Sequence, residues 1–175
     1  MKTRLLLSFS IALALVLFTG WRLGTPVLGS KPDAETLRAS LMAAVRADNT
    51  QEATRLIQLG ADPNSRNSPA SWGVLHYAVR NGNLEIVTAL LHAGANPNYT
   101  GVIEGGTKDA ISMKPLALAQ AAQDLASRVQ PSSMEVTLRQ GGLNDPALVK
   151  SMKDPKAADR YEKVAETLVN FSKKS

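Results

Sequence analysis

The chain contains no cysteine. That excludes a disulfide framework, a thiolate metal site and a cysteine nucleophile, and it suits an oxidising compartment because no thiol is present to mispair. The common catalytic signatures are missing as well: there is no G-x-S-x-G, no H-E-x-x-H, no Walker loop and no G-x-G-x-x-G after a strand. The glycines of "GVIEGG" (Gly101–Gly106) have a spacing that matches no phosphate cradle. Only two histidines occur, His76 and His92, and no spacing supplies either with a serine or carboxylate partner. The pair Glu162 and Glu166 lies i, i+4 with Lys163 between, the pattern of a solvated helix face. A hydrolase built from the later insertion would lack any nucleophile–base spacing. The sequence therefore reads as non-enzymatic, with no cofactor, no metal and no small-molecule substrate.

An excess of one charge sign is also missing where it would count. The formal charge is +5, but Lys2, Arg4 and Arg22 flank an N-terminal apolar run, and without them 17 basic residues face 15 acidic ones. The remainder alternate in sign, as on a solvated surface, so nucleic acid is not an expected partner. The run itself, Leu5–Trp21 behind Lys2 and Arg4, has the layout of a secretory signal or a signal anchor. A spanning helix needs about 17 apolar residues at the least, and this run sits at that limit. Trp21-Arg22 resembles an interfacial anchor, whereas "VLG" before Ser30 suits a signal peptidase, so a cleaved signal and a retained anchor (residues 5–21) both stay open. Either outcome sends the rest of the chain across the membrane. The short signal and the lack of cysteine point to a bacterial periplasm, with residues 1–30 as the address and 31–175 as the folded domain.

What the chain does have is a repeat. "AVRADNTQEATRLIQLGADPN" (Ala44–Asn64) returns as "AVRNGNLEIVTALLHAGANPN" (Ala78–Asn98) at a constant offset of 34 without a gap. Leu37, Leu41, Ala44 and Val45 form one stripe of a first helix. Asn49 is placed to cap a second helix, with Glu52 in capping-box position, and Ala53, Leu56 and Ile57 face inward. Gly60 closes that helix in a left-handed conformation, and Pro63 turns the chain out into an extended hairpin. Asn83, Gly94 and Pro97 repeat those roles, with Leu84, Ile86, Val87, Leu90 and Leu91 as the apolar side.

A helix–turn–helix–hairpin unit carrying "GADPN/GANPN" and "GVLHYAVRNGNLEIVTALLHAGANPN" (Gly73–Asn98) resembles the ankyrin repeat over about Leu37–Asn98. The resemblance implies an all-α ankyrin-repeat solenoid of about three units, near 36–66, 67–100 and 112–172. "KPLALAQAA" (Lys114–Ala122) opens a degenerate third unit, whose second helix is supplied by "YEKVAETLVNF", with Tyr161, Val164, Ala165, Leu168 and Phe171 on one face. It also gives His76 a structural hydrogen bond at a hairpin-to-helix junction. His92, near the end of a second helix, suits that helix's dipole.

Two stretches depart from the period. The hairpin Tyr99–Met113 carries about seven extra residues, with Val102-Ile103 and Ile111 as its arms and Gly105-Gly106 as its turn. An insertion at about 129–157 interrupts the third unit, with short helices expected near Gln130–Arg139 and Pro146–Met152. Such insertions are either binding elements or plain solvated loops. The expected function is a protein–protein interaction module that holds an envelope or toxin protein through a concave face and the long finger, as an immunity-type or stabilising partner. The alternative is a membrane-tethered scaffold that self-associates. Candidate contacts are Trp72 (partner anchor or hairpin packing), Tyr77 and Arg80 on the concave side, and Tyr99, Val102, Ile103, Glu104 and Lys108 on the finger.

Overall fold

The computed structural model describes residues 32–102, 112–129, 133 and 145–173. Seven helices and one short hairpin occur among them: α1 (Ala34–Arg46), α2 (Thr50–Gln58), α3 (Val74–Asn81), α4 (Leu84–His92), β1 (Gly101–Val102), β2 (Ser112–Met113), α5 (Pro115–Arg128), α6 (Pro146–Met152) and α7 (Ala157–Ser172). The pairs α1–α2, α3–α4 and α5–α7 stack like on like. First helices touch in the order α1, α3, α5 and second helices in the order α2, α4, α7. This is the all-α solenoid the period requires, because each pair exposes an apolar face that only the next pair can cover. No helix among the described residues is long and apolar enough to cross a membrane. The expected signal or anchor lies outside them.

Local chemistry explains each boundary. Asn49 Oδ1 accepts from Glu52 N at 3.1 Å and Asn83 Oδ1 from Ile86 N at 3.0 Å, so both asparagines cap the helices they precede. The expected capping box is only half made: the Glu52 carboxylate pairs with Arg55 instead, and Asn49 N–H donates to Ala44 O. Asn83 does more than cap, since its Nδ2 donates to Asp48 Oδ1 and Thr50 Oγ1, both at 2.8 Å, tying one second helix to the start of the previous one. Gly60 and Gly94 end their helices at φ 89° and 96°. The repeated asparagine has its own task. Asn64 Nδ2 donates to Gly94 O at 3.1 Å and its Oδ1 accepts from Asn96 N at 2.8 Å, so the first turn is strapped to the second.

The third unit diverges for a readable reason. Where α3 stops at Asn81-Gly82, the equivalent positions of α5 are Ala122 and Gln123, strong helix formers, and the helix runs on to Arg128. Its partner α7 arrives only after the insertion, burying Tyr161, Val164, Ala165 and Leu168 with Phe171 half-covered, as the spacing predicts. The expected helix at Pro146–Met152 is α6, while the one near Gln130–Arg139 falls outside the described residues apart from a turn at Ser133.

Gly82 (φ +65°) lies under α7, and a Cβ there would sit 2.8 Å from Arg160 Nε and 3.3 Å from the Tyr161 ring. Gly94 has the same kind of backbone but open space around it. We expect Gly94→Ala to cost about 1 kcal/mol from left-handed strain alone. Gly82→Ala should cost roughly 1–3 kcal/mol more through overpacking. Urea unfolding of the two variants measures the difference.

Candidate partner-binding site

The long finger is rooted in the second unit by both of its strands. β1 and β2 pair antiparallel, Gly101 opposite Met113 and Val102 opposite Ser112. On one side Trp72 N–H donates to Val102 O (3.0 Å) and Val102 N–H to Ala70 O (2.8 Å). The backbones approach so closely that a Cβ on Gly101 would stand 2.9 Å from Ser71 O. On the other side His76 Nε2 lies 3.0 Å from Met113 O. A carbonyl can only accept, so Nε2 carries the proton and Nδ1 is left as a bare acceptor, buried without a partner. Protonating the ring would place an unpaired charge there, and burial holds the His76 pKa down at about 4.

Aromatic rings continue this root into the core. His76 stacks on Trp72 (5.6 Å, 18°) and meets Tyr99 edge-on (5.7 Å, 86°), and Trp72 meets Tyr77 edge-on (5.7 Å, 72°). The Tyr99 hydroxyl reaches the carbonyls of Pro69 (2.6 Å) and Ser71 (3.0 Å), with the Arg66 guanidinium over its ring at 4.9 Å. A cleft of about 280 Å³ lies between the first two fingers, bordered by Asn64, Arg66, His76, Asn96 and Tyr99.

Three expected contact residues are not at the surface. Trp72 is only 1% exposed: its backbone is a rung of the finger's root and its ring fills the space beneath, which is the packing alternative rather than a partner anchor. Tyr77 is 4% exposed, accepts from Arg46 Nη2 at 2.6 Å, and lies under the guanidinium groups of Arg46 (4.5 Å) and Arg80 (5.1 Å). Arg80 is 9% exposed and pairs with Asp145 at 3.3 Å. For Arg80 the physical cause is α6, which packs on α3 where an open concave face was expected. Tyr99 and Val102 remain half-exposed at the finger root. Ile103, Glu104 and Lys108, with the arm residue Ile111, lie outside the described residues.

The residues that sequence reasoning missed are polar and long-range. Asn81 Nδ2 donates to Val45 O at 2.8 Å and Arg80 Nη2 to Arg46 O at 3.3 Å, so the end of α3 caps the end of α1. Tyr161 Oη donates to Arg80 O at 2.6 Å, and burial pushes the phenol up to about 12. Asp145 offered a local signal, an acidic cap before Pro146, but nothing local announces its partner 65 residues away. His92, as expected, ends its helix, and its ring lies 5.2 Å from that of Phe171. No cluster of three or more metal-ligating side chains occurs among the described residues.

Residues 26–101 match the family model described as ankyrin repeats (three copies). The match takes in α1 to α4 and ends in β1, so the finger beyond Gly101 and the third unit lie outside it. No curated protein matches the chain.

The buried histidine makes a pH prediction. Its folded pKa, about 4, lies below the ordinary value of 6.5, so the unfolded chain takes up the proton first as pH falls. The stabilisation is complete above about pH 6.5 and drains away as pH drops through about 4, on the order of 3 kcal/mol in all. His76→Asn should flatten that part of the acid limb when stability is followed by urea titration at successive pH values.

Proposed function

We propose that the chain, whose residues 26–101 match ankyrin repeats, is a bacterial periplasmic module that holds one envelope or toxin protein by its long finger. Ankyrin repeats mediate protein–protein interaction. The finer reading rests on one observation: both strands of a finger longer than the period requires are docked on buried parts of the second unit. A loop without a task needs no such footing. A footing of this kind removes conformational freedom before any partner arrives, so little ordering entropy is left to lose on binding. Export rests on the N-terminal apolar run behind Lys2 and Arg4, which delivers the repeats across the membrane whether it is cleaved or kept as an anchor. The partner is then a protein of that compartment, either a toxin held inactive or an envelope protein held stable.

The contact surface on this reading is the finger and the exposed edge of its root, Tyr99 and Val102, rather than the concave side of α3. A cross-linked pull-down of the tagged chain from its native envelope should give one dominant partner. Replacing residues 103–111 by a two-residue turn should weaken that capture at least roughly tenfold while leaving thermal unfolding nearly unchanged. Recovery of the chain alone, with a mass that rises with concentration, would replace this reading with a self-associating scaffold.

A further inference from the structure

The insertion has put a helix of its own where an ankyrin array would present its inner face. Asp145 does two jobs at the start of α6. Its Oδ1 accepts from Ala147 N (2.9 Å) and Leu148 N (3.3 Å) as an N-cap, while its Oδ2 meets Arg80 Nη1 at 3.3 Å. Leu148 and Met152, three and seven positions on, are 1% and 2% exposed and pack with Ala122, Ala157 and Tyr161. Ser151 Oγ closes the far end, 3.1 Å from Arg80 O and 2.6 Å from Tyr161 Oη. The backbone of Ser151 also accepts from Arg160.

Two features set this seat apart from the rest of the fold. Its apolar residues form a small cluster of their own, and no residue of α6 belongs to the main core that runs through the three helix pairs. The bond from Tyr161 to Arg80 O joins α3 to α7 directly, without passing through α6. Lifting α6 away therefore leaves the stack of pairs connected. The helix is also only seven residues long, too short to be stable except where it is docked. Beside it opens a cleft of about 270 Å³, lined by Arg46, Asp48, Lys150 and Asp154 among others, from which a competing segment can enter.

We propose that α6 is a resident stand-in for a partner segment. The seat formed by Arg80, Ala122, Ala157 and Tyr161 is a helix-docking site, and it takes a short helix from a partner with a carboxylate at its cap and apolar residues three and seven positions later. This deepens the reading of the chain as a protein-binding module and adds a second contact to the finger.

Two measurements on the full chain test it. In hydrogen exchange on the unaltered protein, the α6 amides should exchange through a local opening, at least about a hundredfold faster than those of α4. Equal protection of the two helices would make α6 part of the core and overturn the proposal. The second uses the variant Asp145→Ala/Leu148→Ser/Met152→Ser and a fluorescent synthetic peptide of residues 145–154. The variant should keep a cooperative unfolding transition and bind the peptide. The unaltered chain should bind it at least tenfold more weakly, because the tethered α6 competes at an effective concentration of order millimolar. A peptide carrying the Asp145→Ala change should lose at least tenfold in affinity for the variant. Loss of the transition, a folded variant that ignores the peptide, or equal binding by both proteins would each overturn the seat. If an envelope partner is captured and saturating peptide does not reduce its capture, the binding-module reading stands and this one falls. Peptide binding to the variant with no envelope partner found leaves the seat standing and removes the partner reading instead.

Discussion

Helix α3 has no free face, and the rest of the molecule is arranged around what that requires. All eight of its residues are buried, including His76, Arg80 and Asn81. A helix buried on every side is ordinarily apolar throughout, because each enclosed polar group must find a partner or lose its hydration without return. Here the partners come from three different parts of the chain. Asn81 and Arg80 reach back to the closing carbonyls of α1, His76 reaches forward to the finger strand β2, and Arg80 reaches across to Asp145 at the head of α6. One short helix thus ties together the unit before it, the finger after it and the insertion.

That hub separates the finger from the inner face. The finger's root is held by backbone pairing, a buried histidine and a run of packed rings, so the position of that root is inherited from the core. The inner face is covered by α6, which is attached through one ion pair of low exposure, hydrogen bonds from Ser151 to Arg80 and Tyr161 and from Arg160 to Ser151, and a separate small apolar cluster. A buried ion pair of this kind contributes more to the choice of partner and register than to net stability, since desolvation offsets much of its attraction. Rigidity therefore belongs to the finger's root and exchangeability to α6.

Much of the fold was legible because its signals are local. A period of 34, an asparagine before each second helix and a glycine after it, and stripes such as Leu37–Leu41–Ala44–Val45 each act within a turn or two of chain. They placed α1 to α4, and the same spacing logic found α6 and the apolar face of α7. Half of the capping box failed because Glu52 had a nearer cation in Arg55, a competition that the motif does not encode. The candidate contacts were harder to read. Trp72 is enclosed by the finger's root, Tyr77 lies under Arg46 and Arg80, and Arg80 meets Asp145 at the head of α6, so it took the folded stack to show that these residues are buried.

By itself, then, the sequence determined the repeat, the helix limits and the end of periodicity after the second unit, because turn geometry, capping and apolar spacing are set by neighbours in the chain. Tertiary structure alone decided which polar residues carry the assembly and which face stays open. Arg80 and Asp145 are 65 residues apart, and Tyr161 and Arg80 are 81 apart. Their pairing depends on where a docked segment comes to rest, and that is settled by the burial and charge of the finished stack rather than by any spacing along it.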